Sequence, residues 1–235
     1  MNLDFENEAI LLNTNALIEV AQNTKINNRT ILFKTTKSLI DIIAGIIGVI
    51  CLIPLTILIY IANKMCGDRG PVFYTQERIG KDGKLFKMYK YRSMVMDADN
   101  RLKKYLEENE EARAEYKKYK KLKDDPRITK IGKIIRKTSI DEFPQFINIL
   151  KGDMSLVGPR PYLPREKEDM GIYYNYIVKC KPGLTCIWQT SGRNNVAFEK
   201  RLEMDYTYVK EKRLKMDIKL ILATFKKLIK KEGAR

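Results

Sequence analysis

"LIDIIAGIIGVICLIPLTILIYIA", residues 39–62, decides what kind of fold this chain can adopt. It carries one charge, Asp41, and has the ~20-residue length that a helix needs to cross the hydrocarbon of a bilayer. It starts too far from residue 1 for a secretory signal, and residues 1–30 are polar and acidic rather than basic, so it reads as a membrane anchor kept in the mature protein. Pro54 lies inside it. A proline removes one helical N–H and clashes with the preceding turn, so a kink or a break is expected there. Arg29, Lys34 and Lys37 precede the run, and Lys64 and Arg69 follow it. Positive charge on both flanks gives the positive-inside rule no direction. The residues therefore allow two paths: a kinked helix that spans, or a helix that enters, turns at Pro54 and returns to the same face.

The whole chain has 235 residues, 44% hydrophobic and 31% charged, enough for one packed domain with an appendage. Its net charge of +16 calls for an anionic partner: an acidic leaflet, nucleic acid or a phosphorylated substrate. Histidine is absent, which removes Ser-His and Cys-His catalysis and histidine zinc sites. Cys51, Cys66, Cys180 and Cys186 form no CxxC pair and read as reduced thiols.

Beyond the apolar run, turn signals stand at 69–71 and 81–83, and short apolar-aromatic runs, 72–74 and 85–91, flank the second of them, as in a hairpin. Lys87, Lys90 and Arg92 give the second run a basic edge. Residues 97–123 read as one exposed helix laced with opposite charges four residues apart. Near the C-terminus, Leu214, Ile218, Ile221, Phe225 and Leu228 recur at three- and four-residue steps, with lysines between them. Such a basic amphipathic helix can pack on a core or lie on an anionic membrane surface.

"RKTSIDEFPQF", residues 136–146, places Asp141 and Glu142 side by side in this basic chain. Ser139 and Glu142 fit a capping box, the plainest structural reading. Pro144 argues against that register, because it would fall where a backbone N–H is needed. With Asp141 as N-cap, Pro144 falls in the first turn, Phe143, Phe146, Ile147 and Leu150 share one face, and Lys151 and Gly152 close the helix. The positive end of a helix favours ionised carboxylates and phosphate alike. An ionised aspartate is also a competent nucleophile toward phosphorus when the phosphate oxygens are neutralised, and a neighbouring glutamate suits Mg²⁺. Downstream, prolines on both sides of Arg160 stiffen a guanidinium that matches phosphate. The segment 181–195 is turn-rich and holds Trp188 and Arg193.

Taken in order, the apolar segment and the blocks "QERIGKDGKLFKMYKYRSM", "RKTSIDEFPQFINILKGDMSLVGPRP", "KPGLTCIWQTSGRN" and "MDYTYVKEKRLKMDIKL" resemble the bacterial sugar transferases, the monotopic phosphoglycosyl transferases. The resemblance runs from about residue 31 to the C-terminus. It implies transfer of a sugar phosphate from a UDP-sugar to polyprenol (undecaprenyl) phosphate, with Mg²⁺, giving polyprenol-diphosphate-sugar and UMP in the first membrane step of glycan assembly. It implies that Asp141 carries a covalent phosphosugar and that Glu142 is associated with the metal. Substrate-binding positions fall on Lys90, Arg92, Arg136, Arg160, Arg193 and Asp217. It implies an α+β fold: a polar tail over 1–30, a re-entrant helix–break–helix over 31–66, and a small mixed catalytic domain over 67–235 with interfacial amphipathic helices. The place implied is the cytoplasmic face of the bacterial inner membrane, against anionic lipids, with no role for nucleic acid and with room for a homodimer. One departure stands out: small members often have Ser-Pro at the break, where this chain has Ile53 and Pro54. Two rival readings remain: a non-enzymatic, membrane-tethered basic module that binds acidic lipids or nucleic acid, and a metal-dependent phosphatase or diphosphatase.

Overall fold

The computed structural model describes residues 2–119, 122–191 and 196–230, and the side chains among them from residue 30 to residue 227. It divides into two compact units, Met1–Ile40 and Asp41–Arg235. The first is helical from Asn2 onward. Helix α1 (Asn2–Met65) also supplies the first element of the second unit. Its stretch Thr30–Met65 is long and apolar enough to cross a membrane by length and composition, with a mean hydropathy of 2.9 in its most apolar window.

Within the second unit, α1 is helical through Pro54 rather than split into two helices there. Docking along one face holds it across the proline. Asp41, Gly45, Gly48, Leu52, Ile59 and Asn63 are buried, a stripe at helical spacing. Ile43, Ile46, Ile47, Ile50, Ile53, Ile57, Leu58 and Ile61 on the other faces are exposed.

The hairpin expected from the turn signals is present. Strand β1 (Phe73–Ile79) pairs antiparallel with β2 (Leu85–Tyr91), from Phe73 opposite Tyr91 to Ile79 opposite Leu85. The tight turn between them is possible because Asp82 and Gly83 adopt positive φ, 57° and 76°.

The charged stretch forms two helices rather than one: α2 (Ala98–Glu108) and α3 (Glu110–Tyr119). Asn109 is extended and its side chain accepts from the Ala112 N–H at 2.9 Å, so it stops one helix and caps the next. Helix α4 (Lys130–Lys137) follows, capped by Thr129. It leads through a 3-10 turn, Ile140–Glu142, into α5 (Gln145–Leu150).

Strands β3 (Ser155–Val157) and β4 (Gly183–Thr185) form a short parallel pair. The glycines at its end are required by close approach: a Cβ on Gly183 would lie 2.0 Å from the Gly158 nitrogen. The remaining helices are α6 (Tyr174–Ile177), α7 (Ile187–Ser191), α8 (Phe198–Glu211) and α9 (Leu214–Lys230).

The core is assembled in adjoining clusters. Leu52 and Ile59 of α1 meet Tyr91 and Ile135, with Phe143 and Ile147 packed alongside. Met88, Ile149 and Met154 close the space between β2 and α5. Val157, Tyr208 and Leu220 join β3 to α8 and α9.

Helix α9 is turned differently from a simple apolar-inward arrangement. Asp217 and Leu220 face inward, with Asp217 accepting from the Tyr208 hydroxyl and Thr224 bonded to Thr185. Ile218, Leu222 and Phe225 are therefore left 49%, 64% and 60% exposed. The inner face thus combines the polar partners of Asp217 and Thr224 with the packing of Leu220, Met216 and Ile221 on the core.

Candidate active site

The turn that carries the two acids is shaped by Ser139, whose φ of 59° puts it in the left-handed region. A non-glycine residue there is uncommon and costs on the order of 1–2 kcal/mol. The strain reverses the chain after α4 and delivers Asp141 and Glu142 onto β2. Neither acid caps a helix: the 3-10 turn and α5 both begin without a side-chain cap. The capping reading is thereby replaced by another use for the pair.

Helix α5 is fixed to β2 by an amide that imitates a strand. Asn148 is fully buried, accepts from the Tyr89 N–H at 3.0 Å and donates to the Lys87 carbonyl at 2.8 Å. Its bonds flank Met88 and leave the next-but-one residue, Lys90, aimed at the acids. Lys90 Nζ lies 3.3 Å from Glu142 Oε1 and 4.0 Å from Asp141 Oδ2.

The third segment is the loop after β3. Pro159 and Pro161 are buried on either side of Arg160. The Arg160 N–H donates to Asp205 Oδ2 at 3.1 Å, and the Tyr162 hydroxyl donates to the same oxygen at 2.7 Å. So anchored, Arg160 reaches Glu142 Oε1 with Nη2 at 2.6 Å. Its Nη1 is buried and has no hydrogen-bond partner among the described residues, a spare donor at the site. Gln189 of α7 donates to Glu142 Oε2 at 3.5 Å and accepts from the Cys186 thiol. Trp188 lies within cation–π range of Arg160 and Arg201, at 5.8 Å and 4.7 Å.

The neighbouring acids are pushed apart. Burial alone would raise Glu142, but the Arg160 guanidinium and the Lys90 ammonium outweigh it and hold the carboxyl well below the usual range. Asp141 is raised: burial dominates, Lys90 offsets part of it, and the Glu142 charge adds to it. Burial also draws Lys90 down, against the pull of Glu142. Glu142 is thus a fixed anion held by Arg160, Lys90 and Gln189, while Asp141 has Lys90 at the edge of ion-pair range and accepts no hydrogen bond among the described residues. Adjacent carboxyls driven in opposite directions are a recurring mark of divided chemical roles.

Of the residues picked out from sequence, Lys90, Asp141, Glu142 and Arg160 come together. Arg136, half-buried at the end of α4, contributes positive charge that lowers Asp141. Arg92 is directed elsewhere: its donors go to Asp68 at 2.7 Å, the Pro71 carbonyl at 2.6 Å and the Met94 carbonyl at 3.2 Å. The strand ends at Tyr91, so the alternation that would carry Arg92 to the side of Lys90 stops one residue too soon. Asp217 is buried against Tyr208, which also donates to the Val157 carbonyl. Arg193 lies outside the described residues. Asn148, Asp205, Tyr162 and Gln189 had not been singled out. The signal for Asn148 was an amide between two isoleucines on a core-facing helix, and for Asp205 an acid among aromatic residues.

No group of three or more Cys, Asp or Glu side chains that could enclose a metal occurs among the described residues. Mg²⁺ takes one or two protein oxygens and completes its shell with waters and substrate phosphates, but here the Glu142 oxygens already face Arg160, Lys90 and Gln189, so the ion would have to displace one of these partners. The donor set does not fit a closed structural metal cage.

Over most of its length the chain is similar to known proteins. The model for the family described as "Bacterial sugar transferase" matches residues 32–231. The "Undecaprenyl-phosphate galactose phosphotransferase" of Salmonella typhimurium is 46% identical over 198 residues, covering 84% of this chain and 41% of the relative. The "Exopolysaccharide production protein ExoY" of Sinorhizobium fredii is 38% identical over 189 residues, 80% of this chain and 83% of the relative. The "UDP-glucose:undecaprenyl-phosphate glucose-1-phosphate transferase" of Klebsiella pneumoniae is 36% identical over 207 residues, 84% of this chain and 41% of the relative. The chain spans less than half the length of several curated relatives it matches, 41%, 47% and 43% in three of them.

Proposed function

The chain belongs to the bacterial sugar transferase family, and on that premise we propose that it transfers a sugar 1-phosphate from a UDP-sugar to undecaprenyl phosphate, releasing UMP. The observation that carries the reading is the contrast between the two acids: Glu142 is held by Arg160 at 2.6 Å and Lys90 at 3.3 Å, whereas Asp141 beside it has Lys90 only at 4.0 Å. In this scheme Asp141 attacks the sugar-side phosphorus and the bond to UMP breaks, leaving an aspartyl phosphosugar. The lipid phosphate then displaces Asp141. Phosphoryl transfer depends mainly on positioning and charge neutralisation. Arg160, with its spare Nη1, Lys90 and Arg136 supply fixed positive charge, and the buried setting strengthens it. Glu142, if it exchanged one of its present partners for Mg²⁺, would hold an ion that would supply neutralisation of phosphate oxygens.

The substrates meet where water meets lipid, and α1 supports that placement. The same domain docks on α1 at Asp41 and again at Thr56, whose hydroxyl bonds the Tyr91 hydroxyl at 2.7 Å. Those contacts are separated by 15 residues of helix, about 22 Å. A helix crossing the bilayer would draw that polar domain into the hydrocarbon. We therefore favour attachment from one side of the membrane, with both flanks and the domain on the cytoplasmic side of the inner membrane and with α1, which stays helical through Pro54, seated in a single leaflet. The outward apolar faces of α1 and of α9 then lie in one leaflet, with lysines such as Lys219 and Lys226 toward anionic headgroups.

A panel of UDP-sugars, assayed for UMP release with and without undecaprenyl phosphate, tests the proposal. Release that requires the lipid phosphate supports it. Hydrolysis without lipid favours a diphosphatase, and absence of turnover with every sugar favours a non-enzymatic binding module.

A further inference from the structure

We propose that Asp41 is a positioning residue of the reaction centre: bonded to the first residues of β3, it sets the strand that places Arg160 beside Glu142. The inference rests on the transfer reaction proposed above. Asp41 is an acid within an apolar helix and is 9% exposed. Its Oδ1 accepts from the Ser155 hydroxyl at 3.0 Å and from the Leu156 N–H at 2.8 Å. Both donors belong to β3, which runs directly into Gly158, Pro159 and Arg160. From there, Arg160 reaches Glu142 Oε1 at 2.6 Å.

The rest of the docked face of α1 meets the other segments that carry the site. A Cβ on Gly45 would lie 2.6 Å from Leu150, and one on Gly48 would lie 2.1 Å from the Phe146 ring, so both glycines permit contact with α5, the helix that follows Asp141 and Glu142. Thr56 and the Leu52 carbonyl bond Tyr91, the neighbour of Lys90. The apolar helix thus touches the acid-bearing segment, the lysine-bearing strand and, through Asp41, the strand before the arginine. An anchor alone needs none of these bonds, and an acid at this depth weakens anchoring. Its place in the apolar helix is accounted for by the bonds it makes to Ser155 and Leu156.

The test uses the full chain in nanodiscs, with UMP release measured at varied UDP-sugar and saturating undecaprenyl phosphate. Asp41→Leu makes the segment more apolar, so membrane association is kept or strengthened. The expected result is a kcat at least about tenfold lower, with the UDP-sugar KM within about twofold of the wild type, the pattern of a lost transition-state interaction. Asp41→Asn keeps an oxygen acceptor in place and is expected to retain kcat within about threefold. Ser155→Ala removes one of the two bonds and is expected to fall between them. Wild-type kcat in Asp41→Leu, or a loss confined to KM, overturns the inference. If Asp41→Leu does not yield folded protein, Ser155→Ala decides, and an unchanged kcat there overturns it equally. A wild type without lipid-dependent turnover sinks the transfer reading itself, which is a separate outcome from a turning-over wild type matched by Asp41→Leu.

Discussion

Arg160 Nη2 sits 2.6 Å from Glu142 Oε1, while Lys90 Nζ stands 4.0 Å from the adjacent Asp141. The arginine is therefore matched to the fixed anion, while its other terminal nitrogen is buried without a partner among the described residues. Arg160→Lys keeps the charge and loses the planar fork. We expect kcat to fall by about 10²–10³-fold, the range for removing one fixed donor from a developing oxyanion, with the protein still folded. UMP-release kinetics check this, and a fall of less than about tenfold contradicts it.

Asn148 joins the helix behind the acids to the strand that carries Lys90. Asn148→Ala leaves the Tyr89 N–H and the Lys87 carbonyl without this partner. The expected cost is about 1–3 kcal/mol for buried groups left unpaired, together with reduced turnover. At about 2–4 °C per kcal/mol for a chain of this size, melting should drop by several degrees. An unchanged melting temperature contradicts the assigned role.

How far the sequence foretold these relationships depended on the range over which each is determined. The hairpin was legible because turn residues and alternating apolar positions act locally. Asp141, Glu142 and Arg160 were legible because each sits in a short block with its own conformational constraint. The break in the charged helix at Asn109 was not, because a single polar residue stops a helix only when its side chain finds the Ala112 N–H. The diversion of Arg92 to Asp68 was hidden for a similar reason: it depends on where β2 ends and how the chain leaves α1. Asp41 showed in the sequence only as the one charge of the apolar run, because its partners lie 114 and 115 residues away.

Asp205 gives a pH test. Burial raises its carboxyl to about 7, although the Tyr162 hydroxyl, the Arg160 N–H and the Arg160 charge pull the other way. In an unfolded chain an aspartate titrates near ~3.9. Between these values the folded protein holds a proton that the unfolded chain has released. The unfolded state then binds fewer protons, so this group's contribution to stability falls as pH rises from about 4 to about 7, and is level above that. Asp205→Asn removes the dependence. Relative to wild type, the variant should gain stability across that window, by on the order of a few kcal/mol in total. Thermal melts at matched pH values check it, and a pH-independent difference between the two proteins contradicts it.

Membrane topology can be read by labelling. With the native cysteines replaced by alanine, Lys37→Cys and Arg69→Cys place single thiols on either side of the apolar run. Attachment from one side predicts that a membrane-impermeant reagent applied from the cytoplasmic side modifies both. Labelling of the two from opposite sides means that α1 spans.

The central claim is that Asp141 carries the phosphosugar between donor and lipid. Its most direct test is to quench the protein with a UDP-sugar substrate in the absence of undecaprenyl phosphate and map the adduct by mass spectrometry. The account predicts a hexose-phosphate-type mass increment on Asp141, lost when the lipid phosphate is added and never formed in Asp141→Asn. Lipid-dependent transfer without any adduct at residue 141, or near-normal turnover in Asp141→Asn, contradicts it.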